Sequence, residues 1–267
     1  MIEIMGVVNV TADSFSDGGR YLDPDAAVAH GLALREAGAS ILDVGGESTR
    51  PGAERVDPEL ERARVLPVIA ALAAAGATVS VDTMNASTAE AAVEAGARIV
   101  NDVSGGLADT GLLEVAAAGG GDLVLGHWRG HSADMYARAQ YDDVAAEVAA
   151  ELAERTAAAL AAGVDPARIV LDPGIGFGKS PDQSWAMLRA LPRLVGLGHR
   201  VLVGTSRKRF LSVALGAEAS EDRKDLATAV TSVLAAQAGA WAVRVHDVAA
   251  TRDALAVWSQ WEGGHDR

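Results

Sequence analysis

Short runs of β-branched and aliphatic residues recur along this chain. Between them lie longer stretches in which Ala, Leu and Val return at helical intervals. Apolar runs this short, without strict alternation, predict strands buried on both faces, and the longer stretches predict amphipathic helices packed against them. Eight strands are expected: Ile4–Asn9, Ser40–Val44, Thr78–Asp82, Arg98–Asn101, Leu123–His127, Ile169–Asp172, Val201–Gly204 and Ala242–His246. Asp23-Pro24, Asp57-Pro58 and Ser180-Pro181 each place a capping side chain before a proline at the first helical position. Gly38, Gly76, Gly96 and Gly163 mark helix ends. Pro67 falls inside a helical stretch and should kink or divide it.

Eight βα units in 267 residues predict a (β/α)8 TIM barrel as a single domain over residues 1–267, with a doubly wound open sheet as the runner-up. The polar residues decide between them. Asn9, Glu47, Asp82, Asn101, His127, Asp172, the run Ser206-Arg207-Lys208, and Arg244 with His246 all stand at or just past a strand end. In a barrel all eight ends ring one mouth, whereas an open sheet gives only the strands near its switch point a reason to carry such groups.

The densest chemistry is Asp172–Lys179, D-P-G-I-G-F-G-K, a carboxylate at a strand tip followed by a glycine-alternating loop. The spacing of Gly174, Gly178 and Lys179 fits neither a Walker A loop nor a dinucleotide fingerprint. Composition narrows the rest. The chain is 49% hydrophobic with 4% aromatics, so its core must be mostly aliphatic. Its net charge of −13 argues against a general nucleic-acid surface and requires local cations for any anionic ligand. Arg50, Arg207, Lys208, Arg209, Arg244 and His246 form that cationic set. The run from Ser206 opens a helix, where backbone N–H groups add anion affinity. Asp82, Asn101 and Asp172 suit a flat ring rich in N–H donors. Asn9 offers an oxygen to Mg²⁺, which binds one or two protein oxygens alongside substrate phosphates. The loop Asn9–Gly19 with Phe15, and the loop Gly46–Ala53 with Arg50, are polar and glycine-rich, as lids are. His30, His131, His199 and His265 have no partner at metal spacing. The absence of cysteine excludes disulfides and thiolate sites. No secretion signal or apolar run of membrane-spanning length is present, which makes the cytoplasm the default location.

Eight blocks then carry a resemblance. M-G-V-V-N-V-T-A-D-S-F-S-D-G-G, D-V-G-G-E-S-T-R-P-G-A, V-D-T, N-D-V-S-G-G, H-W-R-G, D-P-G-I-G-F-G-K, T-S-R-K-R-F and R-V-H-D-V run in order from Met5 to Val248. Together they resemble bacterial dihydropteroate synthase. The resemblance implies a TIM barrel, usually homodimeric, that joins 6-hydroxymethyl-7,8-dihydropterin pyrophosphate to p-aminobenzoate with Mg²⁺. It implies a pterin bound by Asp82, Asn101, Asp172, Lys208 and Arg244, and pyrophosphate held by Asn9, Arg50, Arg244 and His246, with the metal on Asn9. Phe15, Thr49, Pro51, Phe177, Ser206 and Arg209 would form the p-aminobenzoate pocket, and Asp17, Arg50 and Lys208 would act most directly in the reaction. The chain departs from the family's usual pattern at Ala12 (commonly Pro), Gly126 (commonly a Met over the pterin), Gln183-Ser184 (commonly His-Asn) and Arg209 (commonly Ser). A non-catalytic pterin-binding paralogue is the alternative.

Overall fold

A computed structural model describes residues 2–11, 23–48, 55–131, 136 and 139–263. Eight parallel strands close into a barrel in chain order: β1 (Glu3–Asn9), β2 (Ile41–Gly45), β3 (Val79–Asp82), β4 (Ile99–Asp102), β5 (Asp122–Gly126), β6 (Ile169–Asp172), β7 (Arg200–Gly204) and β8 (Ala242–Val245). β8 returns to pair with β1, so no edge is left open. This is the TIM barrel read from the strand tips, and the open sheet is set aside. Expected strand bounds differ by a residue at several ends. His127 and His246 lie just beyond β5 and β8 rather than within them.

Among the described residues, ten α-helices clothe the barrel: α1 (Pro24–Ala37), α2 (Pro58–Ala74), α3 (Ala86–Glu94), α4 (Gly111–Gly119), α5 (Val144–Ala161), α6 (Pro181–Arg189), α7 (Leu191–Val195), α8 (Arg209–Leu215), α9 (Glu221–Gln237) and α10 (Val248–Trp261). The expected caps form. Asp23 accepts from Asp25 N, Asp57 accepts from Glu59 N, and the four glycines marking helix ends adopt positive φ. Gln183 accounts for its own presence: it completes a capping box with Ser180 at the head of α6. The adjacent Ser184 is fully buried and donates to Ser180 O.

Pro67 does not divide α2, which runs through it: the proline and Ala63, whose carbonyl loses its intrahelical donor, both face solvent. Val65, Val68, Ile69 and Leu72 anchor the helix on its other face.

Strand parity builds the interior. Met5, Ile41, Ile99, Val124, Val170, Leu202 and Ala242 point inward and form an apolar plug at the base of the barrel. Two residues further along the same strands stand Val7, Asp43, Asn101, Gly126, Asp172, Gly204 and Arg244, which also point inward because side chains alternate with period two. The barrel is therefore oily below and polar above. A second apolar layer, with Val8, Leu42, Val81, Leu125, Leu171 and Val203 among its residues, fills the space between strands and helices.

Candidate active site

The upper polar layer opens into a cleft of about 820 Å³ at the C-terminal ends of the strands. At its floor lies a charge cluster held by β2, β3, β4 and β8. Asp43 Oδ2 accepts from Asn101 Nδ2 at 3.1 Å and from Arg244 Nε at 2.6 Å. Arg244 Nη2 donates to Asp82 Oδ2 at 2.7 Å. Burial raises the Asp82 carboxyl well above its ordinary range; Arg244 pulls it back and the neighbouring Asp43 adds to the rise. Burial also opposes the Arg244 charge, but the two carboxylates more than offset it and keep the guanidinium protonated.

β6 and β7 supply the opposite wall. Burial raises the Asp172 carboxyl, while the nearby Lys208 charge and the N–H of Gly174, 2.7 Å from Asp172 Oδ1, stabilise its ionised form. Burial lowers the Lys208 amine to about 8 against the pull of Asp172. Its Nζ donates to Ile175 O and lies 4.2 Å from the centre of the Phe177 ring. The glycine loop needs its glycines. Gly174 has φ of 62°, and a Cβ there would stand 2.3 Å from His127 O. Ser206 Oγ lies 2.8 Å from His246 Nδ1 and accepts from His246 N at 3.1 Å, which fixes the imidazole at the rim.

The structure thus gathers Asp82, Asn101, Asp172, Lys208, Arg244, Phe177, Ser206, His246 and Asn9 around one mouth. Asn9 is half-buried at the tip of β1 and lines the cleft. Arg209 is exposed at the rim, its guanidinium 6.0 Å from the centre of the Tyr136 ring. Phe15, Asp17, Thr49, Arg50 and Pro51, with Ala12, lie outside the described residues. Arg207 does not act as a free cation. It pairs with Asp225 at 2.7 Å and Glu221 at 2.9 Å, and so fastens the loop after β7 to α9.

Arg244 lines the cleft while its guanidinium bridges two buried carboxylates, Asp43 and Asp82, so its charge is shared between them and the open mouth. Gly126, where the family commonly carries Met, has no room for a side chain in this backbone: a Cβ would lie 2.5 Å from Val103 O, in the loop after β4. Sequence reasoning missed Asp43, although its inward parity with Ile41 on a buried strand was the available signal. It gave Lys179 no role and passed over Tyr136, although both line the cleft.

Comparison with known proteins agrees with this geometry. The family model of pterin binding enzymes matches residues 5–246. A dihydropteroate synthase of Mycobacterium leprae is 55% identical over 265 residues, covering 97% of this chain and 93% of the relative. A solved structure of the Xanthomonas albilineans dihydropteroate synthase with 4-aminobenzoic acid superposes with a TM-score of 0.90 at 47% identity, covering 98% of this chain and 93% of that one. The Yersinia pestis dihydropteroate synthase in a sulfonamide drug complex superposes with a TM-score of 0.91 at 36% identity, covering 98% and 94%. A closed barrel with its acceptors, cations and glycine loop at one mouth, matched over nearly its whole length, belongs to the pterin binding enzymes and, within them, to the dihydropteroate synthases.

Proposed function

We propose that this chain condenses 6-hydroxymethyl-7,8-dihydropterin pyrophosphate with p-aminobenzoate, releasing pyrophosphate and forming 7,8-dihydropteroate for folate synthesis. The observation that carries the reading is the convergence of Asp82, Asn101, Asp172 and Lys208 on one blind cleft, with anion-binding groups above them. The carboxylates and the amide accept from the ring N–H groups and orient the pterin. Its exocyclic methylene then faces the mouth. As the C–O bond to pyrophosphate breaks, the electron pair leaves with the phosphate oxygen, and His246, Arg244 and Arg50 take up its negative charge. Asp82 and Asp172 stabilise the positive charge spread over the pterin. The aryl amine lone pair forms the new C–N bond, and its proton passes to water.

Mg²⁺ is the proposed cofactor. Among the described residues no group of three or more His, Cys, Asp or Glu side chains could hold a metal, so a metal here would rest on Asn9 together with substrate phosphate oxygens. When bound it would supply Lewis-acid charge neutralisation on the leaving group. Phe177, Ser206 and Arg209, with Phe15, Thr49 and Pro51, would hold p-aminobenzoate, the Arg209 charge suiting its carboxylate.

A homodimer is also proposed. Leu226, Val230 and Leu234 on α9, each at least half exposed, repeat at four-residue spacing, and Val257 (71% exposed) and Trp261 (86%) extend an apolar surface on the adjacent α10. A cytoplasmic location is proposed with it; no described helix is long and apolar enough to cross a membrane. The test of the activity is direct: incubation with both substrates and Mg²⁺ should yield dihydropteroate and pyrophosphate in equal amounts, and a sulfonamide should inhibit competitively against p-aminobenzoate but not against the pterin. Binding of the pterin without product would assign the chain to the non-catalytic alternative.

A further inference from the structure

Lys179 is the most deeply buried charged side chain of the cleft wall, 2% exposed, and has no place in the reaction described above. Its ammonium has three donors and meets three acceptors: His127 Nδ1 at 2.9 Å, Gly174 O at 3.1 Å and Phe177 O at 3.2 Å. The far side of His127 sets this up. Nε2 lies 2.9 Å from Glu151 Oε2 on α5, and an N–H directed at that carboxylate leaves Nδ1 with its lone pair free to accept. Burial and the neighbouring Lys179 charge lower His127 to about 4, so the imidazole is neutral. Arg129 braces the outer end, bonded to Glu147 and Glu151 and stacked 3.8 Å from the centre of the Tyr141 ring.

Two of the three partners of Lys179, His127 and Gly174, also grip Asp172 from both sides. His127 N donates to the backbone oxygen of Asp172 at 2.9 Å, and Gly174 N donates to its carboxylate at 2.7 Å. Three consecutive carbonyls of the loop region are thereby assigned to cations or to the chain itself: Gly174 O to Lys179, Ile175 O to Lys208, and Gly176 O to the Tyr136 hydroxyl at 3.5 Å. A glycine loop with three left-handed residues has no stiffness of its own. Its shape is imposed by these donors.

We propose that Lys179 is a positioning residue for the pterin pocket: seated on His127, it fixes the glycine loop so that Asp172 and Phe177 face the ligand in one geometry. Lys179 touches no reacting atom. Its effect passes through the Gly174 peptide to the Asp172 carboxylate. Burial also lowers the Lys179 amine to about 7, with Asp172 and Glu151 opposing and Lys208 and Arg129 reinforcing that shift, so the grip is strongest on the acid side of neutrality.

This inference depends on reading Asp172 as a pterin acceptor, and the experiment separates the two. Binding of a dihydropterin and of inorganic pyrophosphate is measured by calorimetry for the wild type, Asp172→Asn, Lys179→Met and Glu151→Gln, with thermal unfolding of each. Lys179→Met should fold, bind dihydropterin at least tenfold more weakly and bind pyrophosphate within twofold of the wild type. In turnover its KM for the pterin pyrophosphate should rise tenfold while kcat changes less than threefold. Glu151→Gln, at the solvent end of the relay, should lose two- to fivefold in dihydropterin affinity with its melting temperature unchanged. Unchanged dihydropterin binding in Lys179→Met beside a clear loss in Asp172→Asn overturns the positioning role alone. Unchanged binding in Asp172→Asn overturns the site reading and the inference with it. Equal losses for both ligands, or a Lys179→Met chain that fails to fold together with a Glu151→Gln chain that binds normally, show that Lys179 serves only the fold.

Discussion

Asp43 and Arg244 illustrate how much a single side chain can be asked to do in this barrel. Arg244 joins two buried carboxylates, and removing it would leave both without their hydrogen-bonded counter-charge. Stripping one partner from a buried pair costs about 3–5 kcal/mol. Arg244→Ala is therefore expected to lower the melting temperature markedly and to weaken pterin and pyrophosphate binding alike, and Arg244→Lys should not restore either, since a point charge cannot bridge both acids. His246→Ala should weaken pyrophosphate alone and leave the unfolding curve where it was; paired calorimetry on the two variants distinguishes the roles. The lysines add a pH signature. Lys208 is held at about 8 and Lys179 at about 7, against 10.5 for an ordinary lysine. Between those values the unfolded chain binds more protons than the folded one, so stability should rise with pH across that window while pterin affinity falls through about pH 8. Denaturation at a series of pH values should show the slope, and Lys208→Met should flatten it. Of these residues, Asp82, Asn101 and Asp172 were legible because a polar residue closing an apolar run has few other purposes. Asp43 was not, because it lies mid-strand, where the eye reads a run and not a parity.

The elements were read from punctuation. Asp-Pro and Ser-Pro pairs located the heads of α1, α2 and α6 because a capping oxygen and a residue with no N–H satisfy the same end of a helix. Whether Pro67 would divide α2 was not legible, because that depends on which face of the helix it occupies, a property of the packing. The loop after β5 was not recognised as part of the mouth, since Tyr136 reaches Gly176 across forty residues of sequence. Gly126 offers a test at this scale. Val103 backbone atoms lie 2.5–2.7 Å from where its Cβ would stand. Gly126→Ala should force the loop after β4 outward and destabilise the protein by about 1–3 kcal/mol, read from its denaturant midpoint.

At the scale of the whole molecule, the net charge of −13 works against two anionic substrates, and a few residues at one rim must overcome it. Raising the ionic strength screens both the general repulsion and the local attraction, so salt dependence alone would not separate them. The apolar surface of α9 and α10 gives a cleaner measurement. Light scattering should report a dimer, and Trp261→Asp should yield a monomer whose barrel melts with an unchanged far-ultraviolet spectrum. The barrel itself was visible in the order of strands and tips. The exposed apolar face of α9 was not, because Leu and Val at four-residue spacing look like core residues until the structure shows which face they take.

The plug formed by Met5, Ile41, Ile99, Val124, Val170, Leu202 and Ala242 makes the barrel a vessel with a single door. Whatever rests deepest must go in first and come out last. A pterin on Asp82, Asn101 and Asp172 lies beneath the place where the aryl amine would sit, so traffic is compulsory in order: pterin pyrophosphate before p-aminobenzoate. Initial-rate kinetics should then show intersecting lines, and an unreactive p-aminobenzoate mimic should inhibit uncompetitively against the pterin substrate. Such a mimic would lock its predecessor inside, and its potency would grow as the pterin pool rises.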